Sequence, residues 1–385
     1  MATRRIYLDH NAGSPPREEA VQAALEAMRA GGNPSSVHAE GRAARARVEA
    51  ARVAVAALAG VPAGQVVFTA SATEANVTAL SADWVAGARA LRLERLLVSA
   101  TEHPSVLRGG RFPADRVEVV PVGPDGVLRL DDLAARLAAG TGPALVAVQA
   151  ANSETGVLQP IGEIARLVRA AGGVLVCDAV QAAGRLPIEE LDADVLTLSA
   201  HKIGGIQGAG ALVARKAELR PLPLLPGGGQ EANRRGGTEA VPAIAAFGAA
   251  ALAARQDLER IEQVRAERDW LIGALRSISG TVTVFGETAD RLANTASVAL
   301  PGLPAETAVI AFDLEGVAIS SGSACSSGKV AASHVLKAMA VPADLVRNAL
   351  RVSLGWSTTR EDLEGFVAVW RKLAARVQTD RGRAA

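Results

Sequence analysis

The 385-residue chain predicts an α/β protein, with a doubly wound and mostly parallel sheet domain followed by a smaller α/β domain. Three observations carry that reading. Short apolar runs alternate with helix-period stretches from residue 65 to residue 215. Two of those runs, 174–177 and 195–198, stop abruptly on polar clusters, Asp178 with Gln181 and Ser199-Ala200-His201-Lys202. Strands buried on both faces of a parallel sheet read this way, and ligands gather at their carboxyl ends. A long alanine-rich helical stretch, 243 to about 277, then leads to a second set of strands and helices.

The chain begins with an extended segment, 6–9, and Pro15-Pro16 opens a helix to about Ala30, because proline suits the first helical turn. Residues 31–36 (GGNPSS) are a turn-rich break before a long Ala/Arg helix ending near Gly60. Strand 65–69 runs into the small residues 70–74 and a helix. Strand 95–99 precedes Thr101-Glu102-His103-Pro104, 116–122 is a strand, and 130–139 a helix. Strand 144–150 ends at Asn152-Ser153-Glu154-Thr155-Gly156, helix 161–171 follows, and 210–215 is one more strand after the Lys202 cluster. The glycine-rich 227–241 lacks the GxGxxG spacing and a Walker lysine, so it is a weak nucleotide signal. Beyond the long helix, strands are expected at 281–285, 296–300, 317–320 and 350–354, and helices at 305–314, 333–340 and 360–377. The expected division is an N-terminal segment 1–15 packing with the small domain, a large domain 16–255 and a small domain 256–385.

Composition narrows the function classes. Hydrophobic residues at 49% and charged residues at 21% describe a globular chain, and a net charge of +1 gives no electrostatic footprint for nucleic acid. The first twenty residues lack a signal-peptide core, and the weakly polar run 240–254 contains Pro242 and is too short to span a bilayer, so a soluble cytoplasmic protein without membrane contact is expected. Cys177 sits in an apolar run and reads as a small buried hydrophobe; Cys325, in SSGSACSSG, reads as an exposed reactive thiol. No metal site is expected.

The two polar clusters would share one crevice, which His103 and Asn152, just past strand ends, could also reach. A partly desolvated lysine loses its proton easily and can form a Schiff base. An aspartate facing a pyridine nitrogen keeps that ring protonated and able to absorb carbanion electrons, the pairing used by pyridoxal phosphate (PLP) enzymes. Taken singly, Asp178 reads as a loop cap and Lys202 as one more solvated lysine. The helix start at 71–73 could hold a phosphate, though an ordinary N-cap would look the same.

The motifs taken together, in order, resemble the cysteine desulfurases of the class V aminotransferase group, PLP enzymes of fold type I. They are Tyr7-Leu8-Asp9-His10-Asn11-Ala12, Gly32-Asn33-Pro34-Ser35-Ser36, Ser71-Ala72-Thr73-Glu74, Thr101-Glu102-His103, Ala151-Asn152-Ser153-Glu154, Asp178-Ala179-Val180-Gln181, Ser199-Ala200-His201-Lys202, Arg235-Gly236-Gly237-Thr238, the stretch 320–325, and Arg351-Val352-Ser353-Leu354-Gly355. The resemblance implies that Lys202 carries PLP as a Schiff base and later moves the Cα proton. Asp178 would hold the pyridine nitrogen, Gln181 the phenolic oxygen, and His103 would stack on the ring and shuttle protons, with Asn152 at the ring edge. Ala72, Thr73, Ser199, His201 and, from a second subunit, Thr238 would grip the phosphate. Arg351 with Asn33 would bind the substrate carboxylate, and Cys325 would take sulfur from L-cysteine as a persulfide.

A homodimer, a sulfur-acceptor or scaffold partner, and supply of iron–sulfur or thio-cofactor biosynthesis follow as expectations. Selenocysteine lyase, another class V transaminase, and a non-catalytic scaffold homologue are the alternatives. The chain departs from the family at Ser153, where a second asparagine is usual. It also departs at 204–208, which lacks a proline and lysine, and at Gly13-Ser14, where threonines are usual.

Overall fold

A computed structural model describes residues 5–321 and 332–384. Cys325 and the rest of 322–331 lie outside the described residues.

The dominant sheet has seven strands, in the spatial order Val66–Thr69, Gly210–Ala214, Val195–Ser199, Val174–Asp178, Ala144–Gln149, Arg95–Ser99 and Val117–Val120. Gly210–Ala214 runs antiparallel to both neighbours, and the other pairings are parallel. Side chains alternate across it with the period of two expected of strands. Leu97, Leu175 and Cys177 join one core under the helices Glu18–Ala30, Ala39–Ala59 and Val241–Asp257, while Leu96, Val98, Val174 and Val176 join another with Trp84. Both faces are therefore covered, which accounts for the continuous apolar runs. The parallel strands end on one side, and that side carries the polar clusters.

A second core surrounds the antiparallel sheet Thr283–Val284, Thr295–Ala299, Ala349–Ser353, with helices Ile261–Ile278, Ala305–Leu314 and Arg360–Ala384. Phe312 and Phe366 stack there at 4.6 Å between ring centroids, with Trp370 beyond. The N-terminal Ile6–Tyr7 pairs in parallel with Val317–Ala318, and Leu8 is buried in this second core.

Several expectations need correction. The helix read over 243–277 is two helices, Val241–Asp257 and Ile261–Ile278, joined by a single 3₁₀ turn, Leu258–Arg260. The first buries its residues in the seven-stranded core and the second in the three-stranded one, so the chain changes direction without a glycine or proline to mark it. The first helix starts at Glu18 rather than at the prolines, because Arg17 is extended and its N–H donates to the Gly204 carbonyl. A small sheet, Asp83–Ala86, Arg89–Arg92 and Leu219–Pro221, was not expected; it is partly exposed, and Trp84 is its one fully buried aromatic. The strand expected at 317–320 is limited to 317–318, which pair with the N-terminal segment, and Ser320 bridges to Arg351 of the three-stranded sheet. Among the described residues, no helix is long and apolar enough to cross a membrane, and no cluster of three or more His, Cys, Asp or Glu could hold a metal.

Candidate active site

Asp178 closes its strand at 9% exposure. Its Oδ1 accepts the Val180 N–H at 3.0 Å and its Oδ2 accepts from Asn76 Nδ2 at 3.0 Å. Asn76 lies on the helix Ala72–Ala79, and its own oxygen accepts from Thr197 Oγ1 at 2.6 Å. Its second amide hydrogen goes to Ser105 Oγ at 3.0 Å, and Ser105 in turn touches His103 Nδ1 at 2.8 Å. Asp178 and His103 are thus joined through two side chains that the sequence reading did not single out.

Lys202 ends the one-turn helix Ala200–Lys202 that follows Ser199. Its Nζ donates to the carbonyls of Asn11 at 2.7 Å and Ala12 at 2.8 Å. Burial, then the charges of Arg351 and Arg185, lowers the amine to about 8, against smaller opposing contributions from Asp9 and Asp178. The desolvated lysine expected from sequence is present, with Asp178 close enough to be felt. Burial also lowers His103, with Lys202 and His334 acting in the same direction and Asp178 opposing.

The helix that starts at Ala72 is capped by side chains. Ser71 caps it by accepting the Glu74 N–H at 3.1 Å, and the Glu74 carboxylate reaches back to the N–H of Ala70, one residue before the cap, at 2.8 Å. Helix geometry leaves the Ala72 and Thr73 N–H groups without intrahelical acceptors. Strand residue Gly210 passes so close that an added Cβ would lie 2.4 Å from the Ser71 carbonyl carbon, so a side chain there would push this turn away. Ser199 Oγ and His201 Nδ1 are 2.9 Å apart, and burial followed by Lys202 lowers His201 to about 4, leaving it a neutral imidazole at neutral pH. Thr238 is exposed and lines a small cleft with Thr69, Ala70 and Arg235; Arg235 pairs with Glu74 at 2.9 Å.

Other expected residues are occupied within the chain. Gln181 donates to the Asn11 carbonyl at 3.0 Å and accepts from Arg185. Asn152 is 2% exposed; its oxygen accepts from the N–H groups of Glu154 and Thr155 and from Thr155 Oγ1, and its nitrogen donates to the Thr101 carbonyl. Arg351 is 2% exposed and pairs with Asp9 at 2.7 Å, with one further bond to the Ser153 carbonyl and its Nε buried without a partner. Asn33 is exposed and accepts the Ser35 N–H at 2.9 Å; no described contact joins it to Arg351. Ser14, at a family departure, donates to the Lys202 carbonyl at 3.1 Å.

The sequence reading missed a buried set around these groups. Asn11 accepts from Lys202 and Gln181 through its carbonyl, while its amide spans Ser153, Thr295 and Asn294. Arg185, lowered to about 10 by burial and then by Arg351, is held by the carbonyls of His10, Gln181 and Lys202. Glu102 is fully buried, and burial raises its carboxyl well above the ordinary range. A polar residue among alanines, as at Asn76 between Ala75 and Ala79, was the one available signal.

Together these groups fit PLP. A lysine with a lowered amine pKa, an oriented carboxylate, a capped helix start and a neutral histidine beside a serine match its aldehyde, ring nitrogen and phosphate.

Comparison with known proteins agrees. The profile of the family described as aminotransferase class-V matches residues 6–366. A cysteine desulfurase of Rhodobacter capsulatus is 39% identical, over 98% of each chain, and the cysteine desulfurase IscS of Dictyoglomus turgidum is 34% identical, over 98% of this chain and 96% of the relative. The X-ray structure of a NifS-like protein from Rickettsia africae superposes with a TM-score of 0.85 at 31% identity, covering 96% of this chain and 99% of the other. The fold is PLP-dependent fold type I, and the chain belongs to the class-V aminotransferase family, among the cysteine desulfurases.

Proposed function

We infer that the chain is a PLP-dependent cysteine desulfurase, converting L-cysteine to L-alanine and carrying the sulfur as a persulfide on Cys325. The observation that carries this is the Lys202 amine, lowered to about 8 and close enough to Asp178 and His103 for their charges to act on one another. When bound at Lys202, PLP supplies an electron sink for the substrate Cα.

The residues of the chain do the rest. Ala72 and Thr73 N–H, Ser199, His201 and Thr238 of a second copy would hold the phosphate. Asp178 would hold the ring-nitrogen proton, Gln181 would face the phenolic oxygen, and Asn152 would support the ring edge through the turn it organises. Lys202 Nζ takes and returns the proton at the substrate Cα, and an amine near neutrality suits that work. Arg351, with Asn33, receives the substrate carboxylate, which competes with Asp9 for the guanidinium fork.

Cys325 Sγ, as thiolate, attacks the substrate sulfur. The new S–S bond forms as the C–S bond breaks, its electron pair stays on the substrate Cβ, and that carbon takes a proton. L-cysteine and an enzyme thiol therefore give L-alanine and an enzyme persulfide, with atoms balanced.

The reading takes 16–255 as the PLP-binding domain and 256–385 as the smaller one, with 1–15 packed on the latter. The change of core at the 258–260 turn and the pairing of Ile6–Tyr7 with Val317–Ala318 support it. It also takes the enzyme as a cytoplasmic homodimer delivering sulfur to an acceptor or scaffold protein of iron–sulfur or thio-cofactor biosynthesis. The exposure of Thr238 supports the dimer.

The test is to incubate purified holoenzyme with L-cysteine and quantify alanine and sulfide with and without a thiol reductant. Equal alanine and sulfide with reductant, and loss of both in Cys325→Ala, are expected. Full turnover by Cys325→Ala would sink the persulfide route.

A further inference from the structure

His103 is held from one side by a chain of hydrogen bonds whose direction can be read at every link. The Ser105 backbone N–H donates to His103 Nδ1 at 3.1 Å, so Nδ1 is the unprotonated nitrogen and the ring proton sits on Nε2. The Ser105 hydroxyl, 2.8 Å from the same nitrogen, must then be a second donor to it. That hydroxyl accepts from Asn76 Nδ2, whose other hydrogen is committed to Asp178 Oδ2. The Asn76 orientation is itself fixed, since a carboxylate oxygen accepts, and since Thr197 Oγ1 donates to the opposite end of the amide at 2.6 Å. Thr197 and Asp178 come from adjacent sheet strands, so the chain is anchored in the rigid part of the molecule.

Two donors converging on one ring nitrogen have a chemical consequence. Forming the imidazolium would put a proton on Nδ1, against an N–H and an O–H that already point at it. One can turn away, because a hydroxyl rotates; the backbone N–H cannot. We propose that Ser105, oriented by Asn76, is a positioning residue that locks His103 as the Nε2–H tautomer, making it a hydrogen-bond donor toward the crevice and opposing its protonation. This inference rests on the desulfurase reading only for what His103 donates to. In place of a freely shuttling base, His103 then presents one fixed N–H, and proton movement at the substrate falls chiefly to Lys202.

The other charged and titratable groups near His103 are Asp178, which favours its protonation, and Lys202 and His334, which oppose it. His334 reaches over from the helix His334–Ala338, with its Nε2 2.9 Å from the Glu102 carbonyl, one residue before His103. Glu102, the residue before His103, has its carboxyl raised by burial. None of these touches Nδ1, so the lock at that atom belongs to Ser105.

The chain has five histidines, which makes its imidazoles tractable by nitrogen NMR. Holoenzyme carrying ¹⁵N-histidine would be titrated as wild type, Ser105→Ala and Ser105→Thr, with the His103 signals assigned by their absence in His103→Gln. In wild type, His103 is expected to show the Nε2–H pattern and a midpoint below that of an ordinary histidine. Ser105→Ala, which keeps the backbone N–H and loses only the hydroxyl donor, should raise that midpoint while the Nε2–H pattern persists, and Ser105→Thr, which keeps the hydroxyl, should restore the midpoint. The acid limb of kcat should move to higher pH in Ser105→Ala and return in Ser105→Thr, with KM little changed. An Nδ1–H pattern in wild type, or a midpoint unmoved by Ser105→Ala, overturns the proposal. Alanine release from L-cysteine, measured on the same wild-type sample, tests the desulfurase reading separately.

Discussion

The site has two walls of different construction. One is made of strand ends, where Asp178, Ser199 to Lys202 and His103 each follow an apolar strand of the seven-stranded sheet within a few residues. The other is made by the N-terminal segment, where Asp9, His10 and Asn11 meet Gln181, Arg185, Thr295, Arg351 and Ser353 through side-chain bonds, and Ser14 meets the Lys202 carbonyl. The first wall supplies the reacting groups and the second sets their charge environment. Arg351 and Arg185 help lower the Lys202 amine, while carbonyls of the N-terminal segment hold it in place. The amine and the Asn11 carbonyl that holds it are therefore nearly 200 residues apart in the chain.

Breaking the first wall should have the largest effect. Lys202→Ala removes both the attachment point and the base, and a loss of alanine formation on the order of 10⁴-fold is expected, with absence of yellow colour after gel filtration. The same amine marks the apoprotein's pH response. With a folded pKa of about 8 against 10.5 for an ordinary lysine, the unfolded chain binds more protons between those values, so stability rises with pH across that window. Urea midpoints of apoprotein at pH 8 and pH 10 should show a rise that Lys202→Met lacks.

Breaking the second wall should cost stability first. Asp9→Asn leaves Arg351, 2% exposed, without its acid, and a loss of about 3 kcal/mol is expected from stranding a buried charge. It should also lower the Lys202 amine further, because Asp9 is one of the groups that raise it. Equal urea midpoints for mutant and wild type would show that the Ser153 carbonyl alone satisfies Arg351. A smaller effect returns to the first wall. Asn76→Ala removes one charged hydrogen bond from Asp178, worth about 2 kcal/mol, so PLP retention measured by dialysis should weaken by roughly tenfold or more.

The two walls also differ in how far the sequence betrays them. Asp178 and Lys202 were legible because apolar runs of fixed length end on them, and parallel strands bring their ends to one side. Asn11 and Arg185 were not, because what they do depends on carbonyls contributed by distant segments, and carbonyls leave no mark in a sequence. The turn at 258–260 was illegible for a related reason. Its residues are good helix formers, and the break follows from the two helices packing on different cores. The small sheet around Trp84 escaped because an exposed hairpin needs little apolar patterning. Family motifs named Arg351 and Asn152 as site residues, yet motifs alone did not reveal that Asp9 and the 152–155 turn already engage them.

The smallest expected effect discriminates between the walls most sharply, because it lies where an ionised group would be costly. Glu102 is wholly buried behind His103, with Oε1 accepting the Gln149 N–H at 2.8 Å and Oε2 without a partner. Burial raises its pKa first and Asp178 adds to the rise, against the opposing hydrogen bond from Gln149. The folded state thus holds a proton that the unfolded chain releases, and stability is lost as pH climbs from the ordinary carboxyl value toward the folded one. Glu102→Gln copies the neutral acid, so its urea midpoint should match wild type near pH 4 and equal or exceed it at pH 8, with alanine formation within about twofold. A variant less stable than wild type at pH 8 would mean that Glu102 is ionised in the native protein. The strand-end wall would then carry two adjoining carboxylates, and Asp178 would no longer be the lone acid at its edge.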